Sequence, residues 1–236
     1  MPDAATPPSV QFLEHGGTIL PAVQVDAYNA ELREANGFVG DRASRRGFIN
    51  IVDDWRDRLR RVSDDPLGDV PTEKISKKAL DKLLNSEEPE IVGIMHGAVE
   101  EFAQELATVI RRLLRQQAWR DTERIVAGGG LRASRIGEIA IGRAAVLLKA
   151  DGNDIDLVPI RHHPDEAGLL GAVQLAPGWI FAGHNAILAV DIGGTNIRAG
   201  VVDLGIKKKR DPSAARIWKS ELWRHSADKP TRKACD

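Results

Sequence analysis

Two glycine clusters hold the residue types from which chemistry could be built. The stronger is Asp191-Ile192-Gly193-Gly194-Thr195-Asn196, which follows the apolar run Ala186–Val190 and precedes another that begins at Ile197. Adjacent glycines admit positive φ and let the backbone approach a ligand with no Cβ in the way. Consecutive N–H groups in such a turn converge on one concavity and bind phosphate oxygens. Thr195 adds a hydroxyl donor. Asp191, closing a buried strand, suits a hydrated Mg²⁺, a hard cation that prefers oxygen ligands and keeps several waters. The competing reading is a plain hairpin turn whose Asp bonds its own backbone. An acid, two glycines and a hydroxyl grouped between apolar strands favour the phosphate turn.

The second cluster, Gly128-Gly129-Gly130, ends the short apolar run Arg124–Ala127 and precedes a helical pattern. Gly128, Gly130 and Ala133 fit G-x-G-x-x-G/A, the dinucleotide fingerprint, and Asp151, Asp154 and Asp156 follow about twenty residues on. In that fingerprint the acid ends the next strand. Here all three acids come before Leu157-Val158-Pro159-Ile160, and Arg161 follows it. A nicotinamide dinucleotide therefore stands as an alternative ligand.

Periodicity places these clusters on elements. Phe48, Ile51, Val52, Trp55, Leu59 and Val62 recur at three- and four-residue steps and predict one helix face. The stretch Asp64–Pro71 breaks it with two prolines and a glycine. A second helix is expected from about Thr72. A longer one is expected from Ile91 to Gln117, striped by Met95, Ala98, Val99, Phe102, Leu106 and Ile110. From residue 123 strands and helices alternate. Arg124–Ala127 reads as a strand, Ser134–Ala150 as a helix ended at Asp151-Gly152-Asn153, and Leu157–Ile160 as a strand with a proline that suits an edge. Pro164-Asp165-Glu166 opens another helix. Ala186–Val190, Ile197–Leu204 and Ala215–Trp223 read as strands, with Trp218 and Leu222 on one face and Trp223 on the other. The implied class is α/β. Before residue 40 only Val23–Ala27 alternates, after a possible turn at Gly16-Gly17.

Composition removes several classes. With 236 residues, 42% hydrophobic and 28% charged, the chain is neither fibrous nor disordered in character. Lys+Arg 33 against Asp+Glu 34 gives a net charge of −1, which offers no footprint for nucleic acid or anionic membrane. Lys207-Lys208-Lys209-Arg210 reads as a solvated loop. A lone cysteine, Cys235, excludes an intrachain disulfide and a multi-cysteine zinc site. No apolar run approaches the ~18 residues needed to span a bilayer. Nothing at Met1–Pro8 reads as a secretory signal. A cytoplasmic location is the expectation.

Asp191-Ile192-Gly193-Gly194-Thr195-Asn196-Ile197-Arg198-Ala199-Gly200-Val201-Val202 resembles the first phosphate motif of the ROK (repressor, open reading frame, kinase) family of sugar kinases and regulators. Ile125–Gly130 is similar to that family's adenosine-side strand and glycine turn. Asp165–Val173 looks like the segment closing its C-terminal lobe. The resemblance runs from about Thr72 to Arg224, and its specific part is the phosphate motif. It implies an actin-like ATPase (ribonuclease H-like) lobe with an added helical segment and an incomplete second lobe. It also implies ATP and Mg as cofactors, a nucleotide and a sugar as candidate ligands, and another chain as the candidate to complete the second lobe. Under it Asp191, Gly193, Gly194, Thr195 and Asn196 hold phosphate and Mg²⁺, while Gly128, Gly129 and Gly130 border the adenosine.

The order of the motifs departs from the family, in which the phosphate motif comes first. A circular permutation accounts for this, because chain termini commonly lie at the surface near one another. The expected segments are an N-terminal extension with the first helix of the lobe at 1–71, a C-terminal-lobe-like α/β segment at 72–176, a link at 177–185, and phosphate-motif strands of a truncated N-terminal lobe at 186–236. The family's Asn-Asp catalytic pair and its His/Cys zinc motif have no counterpart, since Asn153-Asp154 falls in a helix-ending turn. Phosphoryl transfer needs positioning and a group that accepts the hydroxyl proton. The expectation is a ROK-like protein that grips a nucleotide without a complete catalytic set. The alternatives are a non-catalytic nucleotide- or sugar-sensing regulator and a nicotinamide dinucleotide-binding protein.

Overall fold

The computed structural model describes residues 32–35, 37–130, 132, 134–175, 183–193, 196–205 and 214–225. Gly194, Thr195, Ala133, the expected elements before residue 32, most of the 177–185 link, the Lys207–Arg210 loop and Cys235 lie outside the described residues. Among those described, the chain is mixed α/β with small sheets. It divides into two units between Gly168 and Leu169.

In the first unit a two-residue ladder pairs β1 (Arg33–Glu34) with β2 (Gly37–Phe38) ahead of α1 (Arg45–Leu59). The Ser44 hydroxyl starts α1 by accepting from Gly47 N at 3.1 Å, a cap worth about 1 kcal/mol. Phe48 and Val52 are buried, and Ile51, Trp55 and Leu59 pack beside them. Val62 does not share the stripe: α1 ends at Leu59, and Val62 is exposed. The cause is Arg56, on the buried face of α1 at 1% exposure. Its Nε donates to Asp65 Oδ2 (2.8 Å), Nη1 to Val70 O (2.9 Å) and Thr72 Oγ1 (2.7 Å), and Nη2 to Gly68 O (2.6 Å). One guanidinium thus folds the 60–72 loop back against its own helix.

The second helix starts later than its pattern suggests. Thr72–Lys74 takes a 3₁₀ turn, and Ser76 caps α2 (Lys77–Leu83) by accepting from Ala79 N. The long helix α3 (Pro89–Leu114) carries proline in its first turn and stops three residues short of Gln117. Met95, Ala98, Val99 and Phe102 are buried, and the Phe102 ring meets Phe48 edge-on at 5.6 Å. Along its flank Glu100 accepts from Arg143 Nε at 2.7 Å.

Next, β3 (Arg124–Ala127), α4 (Arg135–Ala150) and β4 (Asp156–Pro159) form a parallel β-α-β unit, with Ile125 opposite Leu157. Ala140, Ala144 and Leu148 of α4 are fully buried, and small residues here let α3 and α4 approach closely. Gly152, at φ +83°, ends α4 in the left-handed conformation that other residues resist. Asn153 N closes the same end on Leu148 O.

The division falls inside α5 (Pro164–Leu175). Leu169 and Val173, one turn apart, are buried with Ala189, Val202 and Leu204. Those partners belong to an antiparallel sheet of β5 (Ala186–Ile192), β6 (Ile197–Asp203) and β7 (Arg216–Trp223), in that order. The sequence reading of β5 as a fully buried strand needs correcting. Leu188, Val190 and Ile192 are 72%, 53% and 75% exposed, so only the face bearing Ile187 and Ala189 is covered. The facing of the tryptophans needs correcting too. Val202 pairs with Ile217 and Val201 with Lys219, which leaves Trp218 as the extra residue of a bulge. Simple alternation through Trp218 to Leu222 therefore fails, and Trp218 is exposed.

Candidate functional site

The hairpin β5–β6 carries the stronger cluster. Its register runs from Ala186 opposite Asp203 to Ile192 opposite Ile197, leaving Gly193–Asn196 as a four-residue loop. The antiparallel pairing follows from the short connection, since a parallel crossover needs a dozen residues or more. Gly193 N donates to Asn196 O at 2.9 Å and closes the loop. A Cβ on Gly193 would stand 3.3 Å from Asn196 O, tighter than a side chain tolerates without a shift.

Asp191 lies directly across from Arg198, whose Nη1 is 3.4 Å from Asp191 Oδ2. Their side chains are 34% and 15% exposed. Asp191 is thus paired within the protein. One half-covered carboxylate, with one oxygen turned to a cation, suits a water-mediated Mg²⁺ and not a directly ligated one. Among the described residues no group of three His, Cys, Asp or Glu is gathered to hold a metal.

Two residues beside this turn escaped the sequence reading. Arg198 could have been found, because a tight loop between two strands puts residues equidistant from its centre opposite one another. His225 follows β7, and its Nε2 is 3.1 Å from Gly193 O. It could be placed only once β7 was known to pair with β6.

The two acids on the strands after the turn, Asp203 and Glu221, do not stand on its Asp191 side. Asp203 pairs with Ala186 at the far end of the hairpin, about 20 Å away at ~3.3 Å per residue. It accepts from Gly205 N and faces Arg216. Glu221 sits opposite Ala199 on the sheet face that does not carry Asp191, and it is exposed.

Gly128, Gly129 and Gly130 occupy the carboxyl end of β3, where open α/β sheets bind ligands. Gly129 has φ +88°, so a side chain there is strained. A Cβ on Gly128 would come to 4.0 Å from Ile160, and Gly130 O accepts from Lys77 Nζ at 3.0 Å. Arg132 spans the two loops through Nη2 to Arg161 O at 3.0 Å. The first turn of α4 is already occupied. Arg135 N donates to Asp81 Oδ2 (3.1 Å), Ile136 N to Asp81 Oδ1 (3.0 Å) and Gly137 N to Ser134 Oγ (3.1 Å). A carboxylate therefore sits where a dinucleotide fold would seat its pyrophosphate. Asp156 opens β4 opposite Arg124, at the end away from the glycines, and pairs with it at 2.6 Å. Asp151 pairs with Arg111. Asn153 is used in ending α4.

No helix among the described residues is long and apolar enough to cross a membrane. None of the known families, curated proteins or solved structures compared with this chain matches it.

Proposed function

We propose that the chain is a nucleotide-binding protein of ROK type, with an actin-like lobe in circularly permuted order and an incomplete catalytic set. The observation that carries this reading is the β5–β6 hairpin, in which an acid closes one strand and a glycine loop of four residues joins it to the next. Gly194, Thr195 and Asn196 would supply phosphate donors, with Gly193 N closing the loop on Asn196 O, and Asp191 would hold Mg²⁺ through water. When bound, Mg²⁺ supplies charge neutralisation of the phosphates. Arg198 holds the Asp191 carboxylate at its edge and offers a guanidinium to an arriving phosphate. Asp203 lies at the far end of the hairpin and Glu221 on the opposite sheet face, so neither of these two acids is on the Asp191 side of the turn.

The nicotinamide alternative has less support. Asp81 fills the α4 N-terminus by accepting from two backbone N–H groups, and Asp156 stands at the wrong end of β4 for a ribose. Calorimetric titration separates the two readings. Expected are weak binding of MgATP and MgADP, no binding of NADH or NADPH, loss of binding in Asp191→Ala, and no sugar-dependent ADP release. Tight NADPH binding without ATP binding would transfer the assignment to the dinucleotide reading.

A further inference from the structure

We propose that the open face of the β5–β7 sheet is a self-association surface, on which a second copy of this chain docks face to face. This surface does not depend on the nucleotide reading. An antiparallel sheet with one solvated face alternates apolar and polar residues along its strands. β5 does not. Ile187 and Ala189 lie on the face packed with Leu169 and Val173. The residues that alternate with them are Leu188, Val190 and Ile192, at 72%, 53% and 75% exposure. Across the sheet they continue in three rows, Leu188–Val201–Lys219, Val190–Ala199–Glu221 and Ile192–Ile197–Trp223. Trp223 is 43% exposed, and Trp218, the bulge residue beside Lys219, is 77% exposed. These are the residues of a sheet covered on both sides.

Area and charge select a second copy as the cover. The three aliphatic residues leave the equivalent of two whole side chains open, and the two tryptophans slightly more than one. At about 60–120 Å² per aliphatic side chain and about 150–250 Å² per tryptophan, that is roughly 300–540 Å² of open apolar surface. The partly exposed Ile197, Ala199 and Val201 lie between and add to it. A standard interface buries about 800 Å² per partner, about 65% of it apolar in homodimers, or roughly 520 Å². One such face on its twin meets that requirement. The charged residues on this face, among those described, are Lys219 and Glu221, of opposite sign and 3.9 Å apart. Both sit on β7, at the edge of the sheet, so β5 and β6 form an uncharged centre beside a polar rim. A face with no net charge gives a nucleic acid, an anionic lipid or a charged protein nothing to select. Two such sheets packed about 10 Å apart, as in a sandwich, bury both sets of apolar rows about one two-fold axis.

The test is sedimentation velocity of the full chain over a range of concentration. Wild type should form a dimer at micromolar concentration. Val190→Lys, at the middle of β5, should weaken the dimer by roughly 100-fold or more, because the two-fold axis brings the unpaired cation into the interface twice. Leu188→Gln, polar but uncharged, should weaken it by roughly 10-fold. Both positions are more than half open, so each variant should unfold at the wild-type temperature when all are diluted to monomer. Hydrogen exchange in β5 and β6 peptides should slow as wild type passes from monomer to dimer, with α1–α3 peptides unchanged. A wild-type chain that stays monomeric at its highest soluble concentration overturns the proposal. A dimer untouched by both substitutions does so too, since it would use another surface. Oligomers that grow without limit also overturn it, because a face-to-face pair is closed.

Discussion

Gly200 sits at the centre of β6, buried under α5, and its substitution tests whether the hairpin is held as described. A Cβ built there would lie 2.9 Å from Leu169 Cδ1, 3.0 Å from Lys219 O and 3.1 Å from Ser220 Cβ. The first is closer than real Cβ atoms come, and the other two are tighter than most real Cβ contacts. Leu169 is fully buried and has no open space to retreat into, while Lys219 O belongs to the backbone of the paired strand. Overpacking of this kind costs about 1–3 kcal/mol. Gly200→Ala should therefore speed hydrogen exchange across β5–β7 by roughly 5- to 150-fold, the kinetic image of that free energy for local opening. Mass spectrometry of peptides covering β5–β7 reads the effect, and peptides from α1–α4 serve as the internal control.

Leu169 provides a second arm. In a Leu169→Ala background the nearest of the three clashes is gone, so adding Gly200→Ala should cost less than it does alone. Relief should be incomplete, because Lys219 O remains at 3.0 Å. Unchanged exchange in Gly200→Ala, or a cost as large with Leu169 truncated as with it present, would refute the packing of α5 on this strand.

Three further perturbations address the other unit. Arg56→Met should lower stability by about 3–5 kcal/mol, because it breaks a buried pair and orphans the acceptors at Gly68, Val70 and Thr72; a loss under about 1 kcal/mol in denaturant unfolding would refute the strap. The same contacts set a pH dependence: burial pushes the Asp65 carboxyl up, but the Leu67 N–H and the Arg56 and Arg60 guanidinia outweigh it and hold its pKa below the ordinary 3.8. That stabilisation is present above the ordinary value and lost as pH falls through the folded one, so Asp65→Asn should flatten the acid limb of the stability curve. Asp81→Ala should cost about 1–2 kcal/mol by uncapping α4, read as faster exchange at the start of that helix.

Legibility in the sequence followed the range of the interactions. The β5–β6 hairpin was legible because five residues separate Asp191 from Ile197 and no other pairing fits so short a span. The stripe of α3 was legible because its period is local. Arg56 was not noticed, although it lies four residues beyond Val52 and eight beyond Phe48, on the same face. A charged residue in register with a buried stripe is a signal for a guanidinium whose partners come from elsewhere, here the loop at 65–72. The bulge at Trp218 had no local signal, since it arises from the register between β6 and β7. The capping of α4 by Asp81 joins residues more than fifty positions apart. Neither spacing nor composition reports such a contact.

The two glycine turns differ in what the chain has placed beside them, and that difference bears on the ligand. At the start of α4 the helix N–H groups already serve a carboxylate. An approaching phosphate would meet like charge and find two of its donors taken, so this end favours an uncharged group against the glycines. At the hairpin the neighbouring charge is an ion pair, Asp191 with Arg198, only partly covered. An ion pair of that kind can exchange partners at little net cost, because each member keeps an opposite charge when a phosphate and its hydrated metal arrive together. A phosphate alone would leave Asp191 facing a like charge. Nucleotide binding at the hairpin should therefore depend on Mg²⁺. A nucleoside diphosphate that binds as tightly in excess chelator as in Mg²⁺ would show that Asp191 has no part in holding it.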